Sequence, residues 1–163
     1  MTQHIWSPWR MNYINNPDKQ GDCIFCKALE QDDGPSNLIL SRNPQTFIIL
    51  NRFPYTTGHL MVVPFDHQPD LGKLDASIRS ELMEGVNKAT ALLEKAYHPN
   101  GFNIGINLGA AAGAGVIDHV HIHVVPRWVG DANFMSTLAS TRVLPETLED
   151  TYQRMLTAWQ ELK

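Results

Sequence analysis

The stretch DHVHIHVVPRW, residues 118–128, holds three of the chain's seven histidines within five positions. His119, His121 and His123 alternate with apolar residues, and this alternation predicts a strand over 118–126 in which the three imidazoles share one face. The intervening apolar side chains would pack into a core on the other face. Three imidazoles on one face can bind a metal ion, carry out chemistry, or do both.

A glycine-rich segment, NLGAAAGAG at residues 107–115, directly precedes the histidines. Glycine lets the backbone approach an anion closely, and successive N–H groups can form an anion-binding nest. Asn107 provides the only polar side chain of the segment. Because a neutral imidazole can attack phosphorus near pH 7, a glycine loop beside three histidines favours a ligand that contains phosphate.

The remaining sequence predicts an α+β fold around this strand. Short β-branched and aromatic segments predict four further strands, at residues 38–41, 46–51, 59–63 and 102–107. Apolar residues at helical spacing predict one long helix over 75–97 and a C-terminal helix over about 145–162. Strands grouped around one long crossover helix indicate a mainly antiparallel five-stranded sheet. Pro126 is expected to end the histidine strand, and Pro145 to stand near the first turn of the last helix.

Length and charge restrict the classes of protein that the chain can belong to. The 163 residues are predicted to form a single domain, 1–163, of which 1–22 form an irregular arm rich in aromatic side chains. The net charge of -4 and the lack of basic runs argue against a nucleic acid polymer as partner. No apolar run approaches the roughly 20 residues that a membrane span requires, and no secretory signal is evident, so a cytoplasmic protein is expected.

Cys23 and Cys26 are the only cysteines and are spaced C-x-x-C. A thioredoxin-like redox pair would need a βαβ pattern, which this sequence lacks. Two thiolates alone do not complete a tetrahedral zinc site, so a metal would require two more ligands. The other interpretation is a pair of reduced cysteines in the core.

The sequence resembles that of the histidine-triad family. The segment HVHIHVV, residues 119–125, fits the family signature H-φ-H-φ-H-φ-φ, in which φ is an apolar residue. LNRFPYTTGHLMVVP, at 50–64, resembles the strand–turn–strand segment of the family, and CIFC, at 23–26, resembles the zinc knuckle of many members. WSPWRMNYI, at 6–14, and VVPRWVGDANFM, at 124–135, resemble the bacterial branch that includes diadenosine tetraphosphate phosphorylases.

The resemblance implies a histidine-triad fold and a catalytic role for three histidines. His121, the middle residue of the triad, would attack the α-phosphorus of a nucleotide and form a nucleotidyl-histidine intermediate. Water or phosphate would then release the product. His123 would hydrogen-bond the phosphate oxygens, and His59 would support the triad from a neighbouring strand.

The resemblance also implies contacts with a nucleotide, in which apolar walls enclose the base and polar groups contact the ribose and the phosphates. The candidate residues are Asn51, Asn107, Gly113, Gly115, Trp128, Ile24, Phe25 and Ile49. Asn51 matches the acidic or amide residue that binds ribose hydroxyls in the family. Many members carry Gln or Ser in the loop before the triad, whereas this chain has AAAGAGVI at 110–117, which leaves backbone N–H groups as the expected phosphate donors.

The zinc-bearing members of the family complete the C-x-x-C site with two histidines, which correspond here to His67 and His119. Cys23, Cys26, His67 and His119 would then form a closed Cys₂His₂ site for a structural Zn²⁺. The resemblance also suggests a homodimer. Three functions stay open: cleavage of dinucleoside polyphosphates, hydrolysis of a nucleoside phosphoramidate such as AMP joined to an amine, and nucleotide binding by a zinc-containing protein without turnover.

Overall fold

The computed structural model describes residues 23–131 and 145–162 and contains a five-stranded antiparallel sheet. The strands are β1 (Ile39–Arg42), β2 (Thr46–Leu50), β3 (Leu60–Pro64), β4 (Gly101–Ile106) and β5 (Ile122–Arg127). They are arranged in the order β1-β2-β3-β5-β4. The α+β prediction is confirmed, and the irregular arm predicted at 1–22 lies outside the described residues.

Within residues 23–131 and 145–162, three α-helices accompany the sheet: α1 (Ile24–Leu29), α2 (Ala76–Tyr97) and α3 (Leu148–Glu161). The long helix α2 carries the chain from β3 to the outer strand β4, as the crossover prediction requires. Helix α3 packs on α2, and its Tyr152 donates a hydrogen bond of 2.9 Å to the carbonyl of Ile39. Among the described residues, no helix combines the length and the apolarity that crossing a bilayer would need.

Helix α2 covers one face of the sheet so closely that it needs a glycine at the point of contact. A Cβ added at Gly85 would lie 2.6 Å from Cγ1 of Val62 in the central strand β3. Val62 pairs with Ile122, whereas the preceding residue, Met61, pairs with His123. Because side chains alternate along strands, Met61 and His123 point to the face opposite α2. That opposite face carries the candidate site.

The fifth strand starts later and ends later than its sequence pattern predicts. It begins at Ile122 because this is the first residue of the segment that pairs with both β3 and β4. Before it, the N–H of Val120 donates to the carbonyl of Gln68 and not to a neighbouring strand. Pro126 lies inside the strand rather than ending it. It is tolerated because pairing with β3 stops at Val124, so the missing N–H leaves no bond unmade on that side.

The C-terminal helix also begins later than predicted, because a threonine sets its start. Thr147 is the N-cap of α3, and its side-chain oxygen accepts a hydrogen bond from the backbone N–H of Asp150. Pro145 therefore lies before the helix and not in its first turn. The placement expected for Pro145 is wrong, although the helix itself is confirmed.

Candidate active site and metal centre

Four side chains form a cluster of possible metal ligands, termed here the Cys₂His₂ cluster: Cys23, Cys26, His67 and His119. Their ligand atoms all lie within 4.8 Å of one another. Nδ1 of His119 is 3.3 Å from the sulfur of Cys23 and 3.8 Å from that of Cys26, and Nδ1 of His67 is 3.4 Å from the sulfur of Cys26. In a tetrahedral zinc site, neighbouring S and N donors are roughly 3.3–3.8 Å apart, so the cluster has the dimensions of such a site and could hold a metal ion.

The environment of His119 prepares its Nδ1 atom for a metal. The ring is fully buried, and Nε2–H donates to the carbonyl of Pro64 at 2.9 Å, which leaves the lone pair of Nδ1 directed at the cysteine sulfurs. Burial lowers the pKa of His119 to about 4, which favours the neutral ligand form. Burial and the neighbouring Cys23 raise the pKa of the Cys26 thiol to about 11, so a bound cation would have to displace its proton.

Helix α1 links the Cys₂His₂ cluster to a pocket on the same face of the sheet. Cys23 immediately precedes the helix and Cys26 lies in its first turn, where the N–H of Lys27 donates to the carbonyl of Cys23 at 2.9 Å. The two residues between the cysteines, Ile24 and Phe25, both line the pocket. Phe25 is buried, and its ring centroid lies 5.3 Å from that of the His119 ring.

The pocket brings together most of the residues that the sequence proposes for nucleotide binding, and two of the proposed catalytic histidines. Its lining includes Ile24, Phe25, Asn51, Asn107, Gly113, Gly115, His121 and His123. It also includes residues that sequence reasoning missed, namely Phe53, Tyr55, Met61 and Val116. Of these, Met61 could have been found from strand register, because it stands opposite His123 in the β3–β5 ladder.

Two of the proposed nucleotide-binding residues, Ile49 and Trp128, do not line this pocket. Ile49 is buried in β2, where it pairs with Met61 and so shares the face of the sheet that carries the pocket. Trp128 follows β5, where its indole N–H donates to the carbonyl of Tyr97 at 3.4 Å and its ring packs edge-on against the Tyr97 ring. Trp128 thus contacts the end of α2, which covers the opposite face of the sheet.

His121 is oriented by a backbone carbonyl of the residue that also belongs to the metal cluster. Its Nδ1 lies 2.9 Å from the carbonyl oxygen of His119, which can only accept a hydrogen bond. The ring proton is therefore on Nδ1, and Nε2 keeps its lone pair. Burial lowers the pKa of His121, although the bond to the carbonyl opposes this shift, so the neutral form is favoured. A neutral imidazole with a lone pair at Nε2 is a competent nucleophile.

The proton of His123 is fixed by a chain of hydrogen bonds that starts at the backbone. The N–H of Tyr55 donates to Nδ1 of His59 at 3.1 Å, so a neutral His59 carries its proton on Nε2. This Nε2 lies 3.0 Å from Nδ1 of His123 and donates to it. A neutral His123 then carries its own proton on Nε2. The adjacent triad rings, with centroids 4.8 Å apart, therefore hold opposite tautomers, since His121 is protonated on Nδ1.

Asn51 supports this chain of hydrogen bonds in addition to lining the pocket. Its Oδ1 accepts a hydrogen bond from the N–H of Phe53 at 2.9 Å, which fixes the orientation of the amide. The NH₂ group then lies 3.2 Å from Nδ1 and 3.5 Å from Nε2 of His59, so it contacts the ring whose Nδ1 accepts from the N–H of Tyr55. The side chain that the family resemblance assigns to ribose thus also contacts a histidine of the relay.

The glycine loop is folded on itself by its own amides. A single turn of 3₁₀ helix spans Ala110–Ala112, and the N–H of Gly113 donates to the carbonyl of Ala110 at 2.9 Å. The amides of Ala112 and Ala114 both point to the carbonyl of Gly109. These bonds engage three amides of the loop, while Asn107 and Gly115, at the two ends of the segment 107–115, also line the pocket.

Comparison with known proteins identifies relatives of this fold and site. The chain is 36% identical over 164 residues to an AP-4-A phosphorylase from Mycobacterium tuberculosis, which covers 96% of this chain and 84% of that protein. An adenylylsulfatase from Arabidopsis thaliana is 35% identical over 114 residues, covering 70% of this chain and 56% of that protein.

A solved structure is similar as well, the zinc-bound histidine triad family protein from Mycobacterium smegmatis. It superimposes with a TM-score of 0.69 at 26% identity, covering 86% of this chain and 95% of that one. The family model for the HIT domain matches residues 33–129, a range that includes all three triad histidines. On this evidence, the chain belongs to the HIT (histidine triad) family.

Proposed function

We propose that the protein cleaves dinucleoside polyphosphates by transferring a nucleotidyl group onto Nε2 of His121 and then to phosphate or water. The observation that carries this proposal is the hydrogen-bond geometry that assigns opposite tautomers to two histidines in one pocket. His121 has a lone pair on Nε2, while the neighbouring His123 carries a proton on Nε2. One ring is suited to attack phosphorus, and the other to donate a hydrogen bond to the phosphate oxygens.

The proposed reaction proceeds in two displacements. In the first, the Nε2–P bond forms on His121 while the bond from the same phosphorus to the bridging oxygen breaks, and the second nucleotide leaves with that oxygen. The positive charge that develops on His121 is stabilised because its Nδ1–H already donates to the carbonyl of His119. In the second displacement, an oxygen of phosphate or water attacks phosphorus and the N–P bond breaks. Negative charge on the phosphoryl oxygens is stabilised by the N–H of His123.

We propose that the nucleotide occupies the pocket with its base against apolar side chains and its ribose near Asn51. Ile24 and Phe25 form one wall of the pocket, and Phe53, which is about half exposed, adds an aromatic surface. Asn107 and Gly115 also line the pocket and are the remaining candidates for phosphate contacts. The roles of Ile49 and Trp128 would be indirect, since neither residue lines the pocket.

We propose that the Cys₂His₂ cluster holds Zn²⁺ as a structural ion. Its donor set of two thiols and two imidazoles, and its dimensions, support this assignment, as does the zinc-bound relative from Mycobacterium smegmatis. With four protein ligands, such an ion has no open position for a reacting water. Its contribution would be to fix His119, whose backbone carbonyl orients His121.

We also propose that the protein forms a homodimer through the outer edge of the sheet. The strand β4 lies at that edge, and its Ile104 exposes 49% of its surface. An exposed apolar residue on an edge strand favours pairing with a second chain.

A cytoplasmic location for the protein stays a prediction.

The proposed function is tested by incubating the protein with diadenosine tetraphosphate, with and without phosphate, and identifying the products. Formation of ADP and ATP only with phosphate identifies a phosphorylase, whereas AMP and ATP formed in water identify a hydrolase.

His121→Ala should lower the rate by at least about a thousandfold, since it removes the nucleophile. The matched control is His98→Asn, which replaces an exposed histidine outside the pocket with a residue that tolerates its positive φ of 47°.

A second candidate substrate is a nucleotide with a different leaving group, such as AMP joined to an amine. The similarity to an adenylylsulfatase favours testing it, because that relative is named for another adenylyl compound. Both substrate classes would pass through the same adenylyl-His121 intermediate, so the ratio of their turnover rates separates them. If wild type and His121→Ala were equally inactive on every adenylated substrate, the enzyme proposal would fail and nucleotide binding without turnover would be favoured.

A further inference from the structure

We infer that a metal ion in the Cys₂His₂ cluster and a nucleotide in the pocket bind cooperatively, because Cys23 and Cys26, at the start of helix α1, flank Ile24 and Phe25, which line the pocket. The inference rests on the proposed nucleotide site and goes beyond it. It assigns to the metal an effect on nucleotide affinity, and to Ile24 the role of transmitting that effect. The carrying observation is that one dipeptide is flanked by two metal ligands and lines the pocket.

The placement of α1 depends on contacts beyond the helix itself. The helix has only six residues, and helices of this length are not stable alone. Two of the four possible ligands lie on or next to α1, while His67 follows β3 and His119 precedes β5. A metal bound by all four would therefore tie α1 to the sheet at two points. Without the ion, the contacts among these groups are S···N contacts of 3.3–3.8 Å and the edge-on packing of the His67 and His119 rings.

Phe25 and Ile24 differ in how firmly the core holds them. Phe25 is 2% exposed and packs against His119, His121 and Phe47, with ring centroids 5.3, 5.0 and 6.5 Å apart. Ile24 is 50% exposed, so the core does little to fix it and the position of α1 decides where its side chain lies. The effect of the metal on the pocket should therefore be largest at Ile24.

Coupling between two sites is reciprocal, so each ligand must change the affinity of the other by the same factor. For a rigid wall that one ligand orders and the other contacts, we expect a factor of about ten, within the roughly 5–150-fold range of such couplings. The metal would raise the affinity for AMP about tenfold, and AMP would raise the affinity for zinc equally. This expectation concerns binding equilibria and does not depend on turnover.

The first experiment measures AMP affinity by calorimetry for the zinc-loaded full chain and for the same chain after chelation, with circular dichroism to monitor the fold. About tenfold weaker binding by the folded metal-free chain supports the inference, and equal affinities overturn it. A cycle with Ile24→Ala locates the coupling. The substitution should weaken AMP binding several-fold in the loaded chain and less than about twofold in the metal-free chain, whereas equal losses in both would overturn the role of Ile24.

A second experiment decides the case in which chelation unfolds the chain. Zinc is allowed to partition at equilibrium between the protein and a competing chelator, with and without saturating AMP. AMP should raise the affinity for zinc about tenfold in wild type and little in Ile24→Ala. Met83→Ala is the matched control, since Met83 is 54% exposed and lies on α2, away from the pocket, and it should keep the wild-type response. AMP that binds without raising the affinity for zinc overturns the inference alone, whereas a chain that binds no AMP overturns the proposed function as well.

Discussion

Replacing His119 with alanine should destabilise the fold far more than replacing His121, although the two residues are only two positions apart in the chain. His119 is fully buried among Phe25, His67 and Pro64, so its removal leaves an internal void. Truncation of a large buried side chain costs about 2–4 kcal/mol. The carbonyl of Pro64 also loses its donor, which costs about 1–2 kcal/mol. We expect a total loss near 4 kcal/mol in the metal-free protein.

The same reasoning gives a smaller effect for His121 and for His67. The space left by His121→Ala joins the open pocket and can fill with water, so a loss of about 1 kcal/mol is expected. His67 is exposed, and His67→Ala removes a possible metal ligand without creating a buried void. In chelator, its free energy of unfolding should lie within about 0.5 kcal/mol of wild type.

Urea and thermal unfolding followed by circular dichroism, with and without chelator, test these values. For a chain of this size, 4 kcal/mol corresponds to a fall in Tm of roughly 10 °C. With zinc present, His67→Ala and His119→Ala should both lose the stabilisation that the metal gives to wild type, because each removes a ligand. In the presence of chelator, His119→Ala should be the less stable of the two by about 4 kcal/mol. Equal stability of these variants in chelator would refute the reasoning from burial.

Two further measurements address the triad and the core. Nitrogen-15 NMR at neutral pH should find the ring protons of His59 and His123 on Nε2 and that of His121 on Nδ1; a proton on Nδ1 of His59 would contradict the relay. Gly85→Ala should destabilise the protein by about 1 kcal/mol, because overpacking against Val62 costs about 1–3 kcal/mol and the gain in helix propensity is only about 1 kcal/mol. Val62→Ala should then lower the free energy of unfolding less in the Gly85→Ala background than in wild type. Equal losses in the two backgrounds would rule out the contact.

Much of the fold could be predicted from local patterns. Alternation in the strands and the apolar periodicity of α2 and α3 depend on neighbouring residues, so four strands were placed to within one residue at each end. The start of β5 depends on where β3 and β4 end, and this information is distant in sequence. For the same reason, the position of Pro126 within the strand could not be predicted. The start of α3 is set locally by the Thr147 N-cap, which the apolar periodicity of the helix does not indicate.

Residue type and spacing are enough to identify three alternating imidazoles, a glycine loop and a C-x-x-C pair, because both are local properties of the chain. Which ring nitrogen of each histidine carries a proton follows instead from the tertiary structure. Each tautomer depends on the group that faces the ring: the carbonyl of His119 for His121, and the N–H of Tyr55 for His59 and, through it, His123. These groups come together through strand pairing and turn geometry, which no spacing along the chain specifies.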